Sequence, residues 1–89
     1  MTHKDMKLLS LIKSSKYRKD ILISLVSKIR TPTEICKETN IRISHISRFL
    51  NELKTNNLIE CVNEENKKGR LYKITTNGKR IIDLMKKNE

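Results

Sequence analysis

Residues 31–53 read TPTEICKETNIRISHISRFLNEL, and this stretch decides the fold. Thr31-Pro32-Thr33-Glu34 is a capping box with proline at the first helical position. The Thr31 hydroxyl is placed to accept from the backbone N–H three residues on, and Glu34 to reach back to the Thr31 N–H. The pattern predicts a short helix over 32–39, with Ile35 and Cys36 as its apolar side. Asn40 ends it, because asparagine tolerates the left-handed conformation that a tight stop needs. After Ile41, a second helix over about 43–56 has Ile46, Phe49, Leu50 and Leu53 as its buried stripe. Its polar side carries Arg42, Ser44, His45, Ser47, Arg48 and Asn51. Asn56-Asn57 closes it by the same left-handed logic.

Outward from this pair, residues 16–29 place Ile21, Leu22, Leu25, Val26 and Ile29 at helical spacing, with Ser15 as cap. Residues 4–13 predict a further short helix rich in Leu and Ile. On the C-terminal side the period changes from 3.6 to 2. Leu58 to Val62 reads as a strand, Asn63 to Gly69 as a polar turn, and Arg70 to Ile74 as the returning strand. Gly69 supplies the positive φ that such a hairpin needs. Thr75 or Thr76 caps a last helix over about 76–87, with Ile81, Ile82, Leu84 and Met85 facing inward. An isolated hairpin is marginal in water, so it is expected to lean on the helices beside a short strand near Ile29–Arg30. The fold class is mainly α with a small β-hairpin (α+β). One domain spans 1–89: an N-terminal helix (4–13), a central unit with the first hairpin strand (15–62), the hairpin arm (63–75) and a C-terminal helix (76–88).

The chain has 89 residues, enough for one domain with a modest core. Twenty Lys and Arg against ten Asp and Glu give a formal charge of +10. That balance points to a polyanionic partner, nucleic acid before a membrane surface. One Phe, two Tyr and no Trp argue against single-strand binding by base stacking. Cys36 and Cys61 stand alone, without a disulfide framework. No apolar run is long enough to span a membrane and no secretory h-region is present, so a cytoplasmic protein is expected. There is no Gly-rich phosphate loop, no carboxylate pair in an apolar context and no nucleophile–base pairing. An enzyme is therefore not expected, and no catalytic residue or cofactor is assigned.

Two helices joined by a short turn form a helix-turn-helix when the second can lie in the DNA major groove. Here Cys36 is small enough for close helix approach, and Ile41 closes the corner. No acid lies between Thr39 and Asn51, while Arg42, His45 and Arg48 do. The hairpin tip, Asn66-Lys67-Lys68-Gly69-Arg70, adds a basic element suited to the minor groove or flanking phosphates.

The same residues resemble archaeal winged helix-turn-helix regulators of the MarR/ArsR type over about residues 15–82. Ser15-Lys16-Tyr17-Arg18 with Ile21, Leu22 and Leu25 looks like their first helix. Thr31 to Ile35 with Thr39-Asn40-Ile41 is similar to the first helix of the motif and its turn, and Ser44 to Arg48 with Leu50 and Leu53 to the recognition helix. Gly69 to Thr75, with Gly78, is similar to the second wing strand and the helix after it. The resemblance implies contact with double-stranded DNA through Thr33, Arg42, Ile43, Ser44, His45, Ser47, Arg48, Asn51, Lys67, Lys68 and Arg70. It also implies a homodimer joined through the terminal helices by Met6, Leu9, Ile12, Ile81, Leu84 and Met85, and hence an inverted-repeat operator.

Several positions depart from the family. Asn40 and Asn57 stand where glycine is usual, Arg42 where a serine cap is usual, and Ile43 where a polar DNA-facing residue is common. Ile43 fits either a thymine methyl or the protein's own surface. Metal-sensing ArsR-type regulators carry Cys-x-Cys in the first motif helix, but Lys37 and Glu38 follow Cys36. With His3, His45 and Cys61 offering no shared spacing, no metal site is assigned. The expected function is sequence-specific transcriptional regulation. The alternative is a winged-helix module that holds protein or RNA in transcription or replication machinery.

Overall fold

The computed structural model describes residues 2–87, so position 88 of the expected C-terminal helix lies outside the described residues. Seven elements follow in order: α1 (His3–Lys13), α2 (Lys16–Ser24), α3 (Pro32–Thr39), α4 (Ile43–Thr55), β1 (Ile59–Cys61), β2 (Tyr72–Ile74) and α5 (Thr76–Lys87).

Local chemistry accounts for most boundaries. The Thr2 and Ser15 side chains accept from the amides of Asp5 and Arg18, starting α1 and α2. The capping box at α3 is complete. Glu34 N donates to Thr31 Oγ1 at 3.2 Å, and Thr31 N donates to Glu34 Oε1 at 2.9 Å. That bond from the Thr31 amide is the leading reason Glu34 lies below the ordinary carboxylate range. Asn40 stops α3 in the left-handed region (φ 61°), and the turn residues Asn57 and Gly69 share that conformation at 60° and 65°. Arg42 makes no side-chain cap, so α4 begins without one.

Two elements are shorter than the periodicity predicts. Helix α2 ends at Ser24 rather than near 29, because the chain turns at Leu25 to reach the capping box. Ser24 Oγ donates to Ile21 O at 2.6 Å and Arg30 Nε to Ser24 O at 2.7 Å, which ties off the last turn. Val26 and Ile29, expected in the core, are consequently exposed. The strands are three residues each, so Leu58, Val62, Arg70 and Leu71 fall outside them. Antiparallel pairing puts Ile59 opposite Ile74 and Cys61 opposite Tyr72. The expected support appears as a single bridge: Arg30 and Tyr72 exchange both backbone bonds, at 3.0 and 2.9 Å.

One core joins all these elements. It holds Leu8, Leu9 and Ile12 of α1, Ile21 and Leu22 of α2, Ile35 of α3, the α4 stripe, Tyr72 and Ile74 of β2, and Ile81, Ile82 and Met85 of α5. Cys36 and Cys61 pack at its margin, and Cys36 Sγ lies 2.8 Å from Ile41 O across the turn. Helices α1 and α5 are also joined by charge. Arg80 Nη1 donates to Asp5 Oδ2 at 2.7 Å, and Asp5 is buried. Burial works against the Asp5 anion, but Arg80's hydrogen bond and charge, with the Thr2 bonds, outweigh it and hold the carboxyl below its ordinary range.

Candidate nucleic-acid interface

Helix α4 turns about 100° per residue, and its four buried residues fix its orientation. Ser44, Arg48, Asn51 and Thr55 form the ridge opposite the core. Ser47 and Lys54 lie toward the wing, the arm between β1 and β2, while His45 and Glu52 lie toward α2. Ile43, Ser44, His45, Ser47, Arg48 and Asn51 are all exposed, as is Arg42 just before the helix. Ile43 is 52% exposed, so it does not pack against the protein's own body.

A cleft of about 500 Å³ opens between the start of α3, the wing-side flank of α4 and the wing. Thr33, Ser47, Asn51, Lys67, Lys68 and Arg70 line it together. These six were predicted from three separate stretches of sequence, and the fold brings them to one surface. Arg42, Ser44, His45 and Arg48 flank it from the outer ridge and the α2 side.

The wing is held by its own polar groups. Asn63 Oδ1 accepts from Leu71 N at 2.7 Å, and its Nδ2 donates to Gly69 O at 3.2 Å. Arg70 Nε donates to Asn66 O at 2.8 Å and its Nη2 to Glu64 O at 3.3 Å. Arg70, expected as a phosphate ligand, is therefore occupied with shaping the loop. Lys67 and Lys68 remain exposed at the tip. Sequence reasoning passed over Lys54, which lines the cleft and pairs with Glu64 across the α4–wing gap. Their mutual hydrogen bond is the main reason Lys54 is raised and Glu64 lowered. No local spacing signals this pair, because the two residues meet only through the turn at Asn57 that carries β1 back beside α4.

The α2-side flank carries a denser network. Tyr17 lies edge-on to Phe49 at 5.6 Å between ring centroids and 6.2 Å from His45. The Arg48 guanidinium sits 4.8 Å from the Phe49 ring centre. Glu52 takes Arg18 Nε at 2.7 Å on one oxygen and Arg48 Nε at 4.0 Å on the other.

The residues expected at a dimer interface divide. Leu9, Ile12, Ile81 and Met85 are buried within the single chain, where they complete the core beneath α1 and α5. Helical spacing marks a buried face without saying what buries it, and within the single chain these four are covered by its own core. Met6 is 58% exposed, and Leu84 is partly buried at the core's edge.

Among the described residues, no helix is long and apolar enough to cross a membrane, and no group of three or more His, Cys, Asp or Glu is placed to hold a metal ion.

A family model described as "Winged helix-turn-helix" matches residues 15–89. No curated protein sequence matches the chain. Among solved structures, TubR bound to 24 bp of tubC, from Bacillus thuringiensis, superposes with a TM-score of 0.83 at 11% identity, covering 100% of this chain and 99% of that one. That likeness shows the fold alone. A MarR variant from E. coli, complexed with operator DNA, gives 0.74 at 26% identity, covering 94% of this chain and 64% of that chain. A MarR family transcription regulator gives 0.74 at 24% identity, with 90% and 55% covered. The chain thus spans just over half to just under two thirds of the length of these MarR relatives.

Proposed function

The chain belongs to the winged helix-turn-helix family, and from that premise we propose that it is a sequence-specific double-stranded DNA-binding transcriptional regulator acting in the cytoplasm. Helix α4 lies in the major groove, and Lys67 and Lys68 reach the minor groove or the flanking phosphates. The observation that carries this is the cleft that unites Thr33, Ser47 and Asn51 with the wing lysines, beside a helix ridge without an unpaired acid. The MarR variant solved with operator DNA supports it by likeness. Arg48, on the ridge, is the candidate reader of guanine, and Ile43 presents an apolar surface suited to a thymine methyl. Two copies on an inverted repeat would set their recognition helices about one DNA turn apart. Their contact would use the outer faces of α1 and α5 around Met6 and Leu84.

Selection of bound duplexes from a random pool, followed by fluorescence-anisotropy titration, tests the proposal. An inverted repeat should emerge and bind far more tightly than a shuffled duplex. Arg42, Arg48, Lys67 and Lys68 are the exposed cations here. With a slope of about −0.9 per phosphate neutralised, log K should fall against log[salt] at roughly −3 to −4 per protomer. Lys67→Ala with Lys68→Ala should flatten it by about 1.8. Equal affinity for selected and shuffled duplexes, or a flat salt series, refutes the proposal and leaves a protein- or RNA-binding module as the alternative.

A further inference from the structure

Glu52 is the one carboxylate on the exposed part of α4, one turn beyond Arg48 on the same helix. Left to itself, an i,i+4 pair of this kind would draw Arg48 down along the helix. The geometry is different. Arg18, reaching from α2, holds Glu52 Oε2 at 2.7 Å and donates its Nη1 to Leu11 O of α1 at 3.3 Å. Arg48 keeps only a 4.0 Å approach to the other oxygen, rests over the Phe49 ring and is 70% exposed. Arg18 and Glu52 are much less exposed, at 22% and 31%.

We propose that Arg18 is a positioning residue for DNA recognition: by occupying Glu52, it releases Arg48 to the duplex and neutralises a carboxylate that would otherwise face phosphate. This rests on the DNA-binding function proposed above. The division of labour follows from the donor geometry. A carboxylate satisfied at 2.7 Å by a half-buried guanidinium has little left to offer a second one in solvent. Phe49 completes the arrangement, since its ring supports the Arg48 guanidinium from below and lies 5.9 Å from that of Arg18. The first helix of the DNA-reading unit thereby governs the chemistry of the recognition helix without itself touching a base. Arg18 falls within the sequence stretch that resembles the family's first helix, and the sequence assigns it no role of its own.

Thermodynamic coupling tests this, read by anisotropy on the selected duplex with the intact chain. Arg18→Met should weaken binding about tenfold when Arg48 is present, and less than threefold in an Arg48→Ala background. The same substitution should erase the preference for guanine at the position that Arg48 reads. Adding Glu52→Gln to Arg18→Met should restore both affinity and preference, although Glu52→Gln cannot restore the lost bond to Leu11 O. A merely structural role would instead give equal losses in both Arg48 backgrounds and no rescue, and either result overturns the inference. If Arg18→Met does not fold, as judged by circular dichroism, Glu52→Gln alone decides. It keeps the Leu11 bond and, because Arg18 already occupies this carboxylate, should leave affinity within about twofold and the guanine preference intact. A gain of threefold or more would show that Glu52 still restrains Arg48, a loss would show that the ion pair itself is what binding needs, and either overturns the proposal. Wild-type protein that shows no duplex preference overturns the DNA-binding function itself. Wild-type preference with an Arg18 effect independent of Arg48 overturns the positioning role alone.

Discussion

Replacing Gly78 with alanine sets two physical effects against each other, and the structure says which wins. Gly78 lies in the first turn of α5, where its amide donates to Thr75 Oγ1 at 3.0 Å. On helix propensity alone, alanine should stabilise the helix by up to about 1 kcal/mol. The packing opposes it. A Cβ at Gly78 would stand 2.2 Å from Leu58 O and 2.6 Å from Ile74 Cγ1. Leu58 O is a backbone atom already engaged by Thr75 N at 3.1 Å, so it cannot swing aside as a side-chain tip would. Overpacking of this kind costs typically 1–3 kcal/mol, and a backbone collision belongs at about 3. The net loss is then about 2 kcal/mol. For a domain of this size each kcal/mol moves the melting temperature by about 4–8 °C, so Gly78→Ala should lower Tm by about 8–16 °C. Thermal unfolding followed by circular dichroism at 222 nm measures it. A Tm equal to or above that of the wild type would show that α5 can draw back from the hairpin at little cost, and the close approach would then not be what seats the wing.

Further outcomes follow from charge and backbone conformation. Arg80's bond and charge hold the folded Asp5 carboxyl below its unfolded value, so its contribution is complete above about pH 4. It fades as pH falls below the unfolded value and is gone once pH passes the folded one. Asp5→Asn should flatten the acid limb of a denaturant-stability series, and an unchanged limb would remove the Asp5–Arg80 pair from acid sensitivity. Asn40, at φ 61°, should lose roughly 1–2 kcal/mol on replacement by alanine. Glycine there should be neutral or better, because it has no Cβ to strain. A chemical-denaturation midpoint that drops equally for both would instead assign the effect to the Asn40 side chain.

Much of this architecture was legible because short-range chemistry dictates it. The Thr31–Glu34 box, the left-handed stop at Asn40 and the turn at Gly69 each depend on a few neighbouring residues, and each stands where the pattern put it. The α4 stripe was legible for a related reason: Ile46, Phe49, Leu50 and Leu53 repeat at the helical period. What escaped depends on chain folding back on chain. Val26 and Ile29 continue the α2 period, yet the turn at Leu25 carries them to the surface. Arg70 reads as a free cation until the loop offers it the carbonyls of Asn66 and Glu64. The Lys54–Glu64 and Arg18–Glu52 pairs join residues from different elements, so no local window contains either. The six cleft residues were legible by type, and only the fold could show that they share one surface.

The tie between Asp5 and Arg80 spans 75 positions of sequence. During synthesis at about 5–20 residues per second, the aspartate waits roughly 4–15 s for its guanidinium to leave the ribosome. Over that interval α1 has α2 to rest on, but the acid at its start has no counterion from α5. Closure therefore comes late, α1 being locked down by α5, and a ribosome paused before residue 80 should carry an α1 whose first turn remains open to proteases.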